Sequence, residues 1–178
     1  MPYELVGREE IYRGRVFGVS LSRFQTETKG EVSIEIVHHN GGAGMLPVFE
    51  DGTIALVRQW RYPLGRYSLE IPAGRIETGQ SPEETGLREL EEEMGLRARE
   101  MQKLGEFYVA PGWCAEKIHV YLARGLEASS QNLDDDEEIE VVRLSLDDAL
   151  ARVRSGEIDD AKSIITLMLA APLLQGSR

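Results

Sequence analysis

The sequence predicts an α/β (α+β) protein in which a small N-terminal β unit precedes a larger unit of mixed strands and helices. Three observations predict it. Residues 10–38 alternate and are rich in β-branched side chains, a strand, a loop and a capped helix follow one another between residues 66 and 95, and the last third of the chain passes from extended segments to two helical patterns.

In chain order, "IYRGRVFGVSLSRF" and "EVSIEIVHH" read as strands with "TETKG" as the turn between them. "HNGGAG" interrupts the pattern and sets a boundary near residue 41, with residues 1–41 as the β unit and 42–178 as the main domain. A sheet that small is hardly stable alone, so it packs on the rest of the chain or on a second subunit. "MLPVF", the turn "EDG" and "TIALVRQW" read as two strands joined in a hairpin, and "RYSLEIPAG" as a further extended segment ending in a glycine turn. The next element is a helix from Pro82 to Met94: Ser81 is its N-cap, Pro82 its first residue, Glu84 completes a capping box, and Gly95 stops it. Strands near "KLGEFYV", "EKIHVYLA" and "EIEVVRL" precede a helix capped at Ser145 with Asp148 and stopped by Gly156. A last apolar helix spans about Asp160 to Leu174.

Composition narrows the function. The chain has 178 residues, 42% hydrophobic and 29% charged, and no apolar run approaches a membrane span. The N-terminus lacks the basic and apolar segments of a signal peptide, which makes the cytoplasm the expected compartment. Cys114 is the single cysteine, so an intrachain disulfide and a cysteine-rich zinc site are both excluded. A net charge of -11 argues against nucleic-acid binding and against any anionic substrate, unless divalent cations reverse the sign of the site.

The segment from Gly74 to Leu96 explains how that could happen. On the expected helix Glu89, Glu92 and Glu93 stand at i, i+3 and i+4, so their carboxylates share a face, while Leu87, Leu90 and Met94 form an apolar stripe. Carboxylates about 4 Å apart repel by roughly 4 kcal/mol at an effective dielectric of about 20. A Glu-rich helix is ordinarily a solvated face, but such crowding suits a hard divalent cation, which takes carboxylate oxygens and bridges them to phosphate.

The pattern G-x5-Q-x7-R-E-L-x-E-E-x-G-L resembles the signature box of the Nudix hydrolases at Gly74, Arg88, Glu89, Leu90, Glu92, Glu93, Gly95 and Leu96. It departs from the box at Gln80, where the family has Glu, and a neutral hydrogen bond to Arg88 is expected in place of a charged one. The resemblance implies an α/β/α sandwich with a mixed sheet. It also implies Mg2+, or Mn2+, held by Glu89 and Glu93 with Glu92 beside them and the Ala73 carbonyl contributing, and Arg88 orienting the acids. "VRQWR", "LEIPAG" and "APGWCAEKIHVYLA" are similar to segments of ADP-sugar pyrophosphatases. That likeness implies hydrolysis of ADP-ribose to AMP and ribose 5-phosphate by a homodimer whose N-terminal β unit is exchanged between subunits. Arg61 and Arg58 would bind the diphosphate with Gly74 in the substrate loop, Glu116 would bind the terminal ribose, and Glu137, in the acidic run "DDDEEIE", would act as base, Asp135 standing where relatives often have Glu. Two alternatives stand beside it: pyrophosphatase activity on GDP-mannose or another nucleoside diphosphate sugar, with Asp160-Ala161-Lys162 resembling a segment of that group, and a noncatalytic Nudix module that senses ADP-ribose. Trp60 and Trp113 read as packing residues or as a stack for adenine.

Overall fold

The computed structural model describes residues 3–133 and 138–176, so the acidic run at 134–137, including Glu137, lies outside the described residues. The chain forms two compact units: Met1–Gly41 with Phe107–Lys117, and Gly42–Glu106 with Ile118–Arg178. The boundary expected near residue 41 therefore has a second part, since an excursion from the main domain joins the N-terminal residues.

In the smaller unit, strands β1 (Tyr3–Arg13), β2 (Gly18–Thr26) and β3 (Gly30–His38) form an antiparallel sheet in that order. "IYRGRVFGVSLSRF", read as one strand, is broken at Gly14, whose amide donates to the Phe17 carbonyl at 2.9 Å and turns the chain back. The turn at 26–30 is as expected: Lys29 N–H donates to Thr26 Oγ1 at 2.9 Å, and Gly30 takes φ 74°, a conformation open to glycine. Residues 113–115 lie along β3, with Val37 N–H donating to the Trp113 carbonyl at 2.8 Å and Ala115 N–H to the Val37 carbonyl at 3.0 Å. Cys114 is a buried free thiol there.

The larger unit has two sheets. One is ordered β10 (Ile139–Leu144), β5 (Ile54–Arg61), β6 (Arg66–Glu70), and the other β7 (Ala73–Arg75), β4 (Gly42–Pro47), β9 (Lys117–Ala128), β8 (Leu96–Tyr108). Its helices are α1 (Pro82–Met94), α2 (Leu146–Ser155) and α3 (Ala161–Gln175). The expected hairpin of β4 with β5 does not form. The turn between them closes as read, with Phe49 N–H donating to the Thr53 carbonyl at 2.9 Å, but the two strands enter different sheets, and Val48, just after β4, pairs with Ile54 as an isolated bridge. β4 instead pairs in parallel with β9, from Gly42 opposite Ile118 to Pro47 opposite Ala123, and every residue of β4 is buried. Burial on both faces is the signature of a parallel strand covered on each side. Ala43 and Met45 face a core shared with Val57, Leu90, Met94 and Tyr121, while Leu46 alternates to the opposite side. α1 packs on β4 and β7, and α3 also reaches β4. Nothing in residues 96–102 announced a strand, yet β8 begins at Leu96 and runs thirteen residues, much of it exposed and charged. Among the described residues no helix is long and apolar enough to cross a membrane.

Candidate active site

The acidic helix forms as its caps dictate. Ser81 Oγ accepts from Glu84 N–H at 3.1 Å, Glu84 Oε2 accepts from Ser81 N–H at 2.8 Å, and Gly95 ends the helix in the left-handed region at φ 63°. Its C-terminal carbonyls, which have no partner within a helix, are taken by the segment after β9. Ser129 N–H donates to the Gly95 carbonyl at 2.7 Å, Asn132 N–H to Glu92 at 2.9 Å, and the Gln131 side chain to Glu93 at 2.7 Å. The chain is thereby held at the end of the helix just before residue 134.

The buried face of α1 carries Gly86, Leu90 and Met94, with Glu89 and Glu93 also buried beside them. The expected stripe thus loses Leu87, which is 36% exposed, and the acids flank the packed face. Gly86 faces Met45 across this contact, and a Cβ there would lie 3.1 Å from Met45 Cε, a close approach that the methionine would have to relieve by a small shift.

The loop at β7 meets these acids. β7 is placed by pairing with β4, Gly44 opposite Ala73 and Ala43 opposite Gly74. Ala73 N–H donates to Glu93 Oε2 at 2.9 Å. A Cβ on Gly74 would fall 1.9 Å from Glu89 Oε1 and 2.7 Å from Oε2, so only a glycine leaves room for that carboxylate. Arg88 binds two of the acids: Nη2 lies 2.7 Å from Glu89 Oε1, and Nη1 donates to Glu92 Oε2 at 2.5 Å. Burial opposes its charge, but the charges of Glu89, Glu92 and Glu77 outweigh it and hold the guanidinium protonated. Its Nε is buried with no partner among the described residues. Gln80 does not supply one, since its Oε1 accepts from Thr85 Oγ1 at 3.1 Å, which corrects the contact expected with Arg88.

Carboxylate oxygens from Glu89, Glu92 and Glu93 are the donors a hard divalent cation takes, and the space kept by Gly74 lies against one of them, so the residues fit such an ion. With Arg88 and the Ala73 amide engaging these oxygens, no three acidic, His or Cys side chains share an ion-sized point among the described residues.

A second polar cluster lies at the end of β5. Arg61 forks onto Glu70, Nε to Oε1 at 2.8 Å and Nη2 to Oε2 at 2.6 Å, and Lys162 Nζ also reaches Glu70 Oε2. Burial would raise the Glu70 pKa, but the Arg61 hydrogen bonds and the Lys162 charge overcome it and bring the carboxyl down to about 2. The Glu70 hydrogen bonds keep the Arg61 guanidinium firmly charged, and the charges of Glu93 and Asp160 add to this. Arg61, Ser68, Glu70 and Lys162 line a cavity of about 430 Å3. Arg58 is not part of it. Three residues along a strand alternate to the other face, where Arg58 stacks 4.0 Å over Tyr67 and bonds Glu140 at 3.1 Å.

A NUDIX domain model matches residues 38–166. The chain belongs to the Nudix family. The chain is 41% identical over 160 residues to the ADP-ribose pyrophosphatase of Bacillus subtilis (strain 168), an alignment covering 89% of this chain and 86% of that one. It is 36% identical over 161 residues to the methanol dehydrogenase activator of Bacillus methanolicus, covering 89% and 87%. A crystal structure of an ADP compounds hydrolase has the same Nudix fold, with a TM-score of 0.86 at 23% identity over 99% of this chain and 96% of that chain. The protein is accordingly a Nudix hydrolase, an enzyme of a family that works with divalent metal ions.

Of the residues singled out in the sequence, the Nudix helix and loop bring together Ala73, Gly74, Arg88, Glu89, Glu92 and Glu93. Arg61 is tied into the Glu70 cluster, whereas Arg58 stands on the other face of its strand. Glu116 lies in the smaller unit, with Oε1 3.6 Å from His39 Nδ1. Sequence reasoning passed over Glu70 and met Lys162 only as part of the Asp160-Ala161-Lys162 segment of the GDP-mannose alternative. The signal was an acid between the apolar Leu69 and Ile71, all three buried, a position that requires a buried counter-charge.

Proposed function

We propose that this Nudix hydrolase cleaves the diphosphate bond of ADP-ribose, and of related nucleoside diphosphate sugars, to AMP and a sugar phosphate. The observation that carries the reading is the Glu89 carboxylate lodged against the Cβ-less Gly74, beside a Glu93 held by the neighbouring Ala73 amide. A cradle of that shape serves carboxylates that must be held at one place in the loop. Glu89, Glu93 and Glu92, with the Ala73 carbonyl, hold the divalent ion, Mg2+ in the first instance. When bound, the ion supplies charge neutralisation of the diphosphate and a water of lowered pKa. Arg88 spaces Glu89 and Glu92 and offsets their repulsion in the free enzyme. Arg61, rather than Arg58, reads the diphosphate, since a guanidinium fork matches phosphate oxygens. Glu116 takes the distal sugar. Glu137 is the base, a reading supported by the anchoring of residues 129–132 on the carbonyl end of α1. The B. subtilis relative supports ADP-ribose as first choice.

The test is phosphate release, coupled to a phosphatase, across ADP-ribose, GDP-mannose, UDP-glucose and NADH with and without Mg2+. ADP-ribose is expected to give the highest kcat/KM. A preference for GDP-mannose would move the assignment to that sugar, and silence on every compound would leave a sensor.

The smaller unit is proposed to hold two copies together by exchange of the β unit at residues 1–41. Its sheet leaves Leu5, Ile11, Tyr12 and Phe17 exposed, apolar surface that a second copy would cover. Light scattering on the eluting protein should return twice the chain mass, and a single-chain mass at micromolar concentration would refute the dimer.

A further inference from the structure

We propose that Lys162 is a positioning residue that keeps Arg61 in place and available to the diphosphate by sharing Glu70 with it. The inference rests on the reading of Arg61 given above. Lys162 opens the first turn of α3, Glu70 ends β6 and Arg61 ends β5, so three separate elements meet at one carboxylate. Their side chains grade from inside to outside: Glu70 is 4% exposed, Lys162 14% and Arg61 35%. The carboxylate is therefore the deep anchor and Arg61 the group at the mouth of the cavity. Glu70 uses both oxygens on Arg61 Nε and Nη2, which leaves Nη1 as the guanidinium nitrogen outside the fork.

With Arg61 as its single counter-ion, a buried carboxylate would cancel the charge meant for phosphate. With Lys162 on the same oxygen, two cations share one anion and the trio keeps a net positive charge. Asp160, with Oδ2 3.0 Å from Lys162 Nζ, brings the four groups to formal neutrality, where without Lys162 they would carry a net negative charge; the same oxygen also caps α3 by accepting from Ser163 N–H at 3.0 Å and from Ser163 Oγ at 2.5 Å. Nor is Lys162 needed to dock the helix. Ser163 Oγ accepts from Ile71 N–H at 2.8 Å, which already staples α3 to the strand end that leads into the Nudix loop. What Lys162 adds is charge at Glu70.

The test is steady-state hydrolysis of ADP-ribose at saturating Mg2+ by the full chain carrying Arg61→Gln, Lys162→Met, Lys162→Arg, Glu70→Gln, or Glu70→Gln with Lys162→Met. Lys162→Met is expected to raise KM about tenfold while kcat stays within about twofold, the pattern of lost ground-state binding, and Lys162→Arg to restore KM. Should Lys162→Met fail to fold, the double variant, which leaves neither buried charge unpaired, is compared with Glu70→Gln alone. Equal KM values show that Lys162 acts through Glu70, and a further rise of about tenfold overturns that route. An unchanged KM in Lys162→Met, or a loss of thermal stability without a change in KM, overturns the inference. If Arg61→Gln leaves KM unaltered, the reading of Arg61 itself falls. If Arg61→Gln raises KM and Lys162→Met does not, only the role of Lys162 is lost.

Discussion

Gly74 shows how one missing atom can define a site. Its backbone is not in a glycine-only conformation, so the requirement for glycine is spatial: a methyl group would overlap the Glu89 carboxylate at 1.9 Å. Gly74→Ala should push that carboxylate out of the loop and lower kcat/KM for ADP-ribose by about 100-fold, the scale expected for an ångström of misplacement at a reacting centre. The fold should persist, because the displaced group is the end of a side chain. Full activity in this variant would show that Glu89 is not needed where the structure holds it. The residue pattern made Gly74 and Glu89 legible together, since both are fixed places of the box, but it could not show that they touch. Gln80 carried the opposite lesson. The spacing pointed it at Arg88, whereas the side chain turns to the hydroxyl of Thr85 one helical turn away.

At the scale of elements, local signals were read well and long-range pairings were not. The ends of α1 and α2 follow from Ser81, Gly95, Ser145 and Gly156, because a cap is decided by a few neighbouring residues. The partner of β4 is β9, some seventy residues later; a hairpin reading of β4 with β5 follows the sequence and misses a parallel partner that no local pattern encodes. The same distance hid the junction of β5, β6 and α3 at Glu70. Its carboxyl is depressed from an ordinary value of 4.5 to about 2, so the charged form is favoured by folding. The stabilisation is complete above pH 4.5 and is lost as pH falls toward 2, in total on the order of 3 kcal/mol. Thermal melts across that window should show a steep acid limb that flattens in Glu70→Gln, and limbs of equal slope would show that the junction contributes nothing to acid stability.

For the molecule as a whole, a net charge of -11 and a diphosphate substrate are reconciled through the few places where charge is inverted or shared. One is the acid face of the Nudix helix, which the divalent ion of the proposed function would reverse. The other is the Arg61 cluster, where two cations meet a single deep anion. The fold class was legible because strands, capped helix and glycine loop agree with one another at every level. The second part of the smaller unit, Phe107–Lys117, was not, since an excursion of eleven residues carries no composition shift to announce it. The most direct test of the account is the rate of AMP release from ADP-ribose as Mg2+ is titrated into metal-stripped protein, for the wild type and for Glu93→Gln. The wild type should rise more than about 100-fold to a plateau and Glu93→Gln should stay near the metal-free rate, in keeping with the several kcal/mol a bound cation contributes. A metal-free wild type already at its full rate, or Glu93→Gln tracing the same curve, would contradict the central role given to these carboxylates.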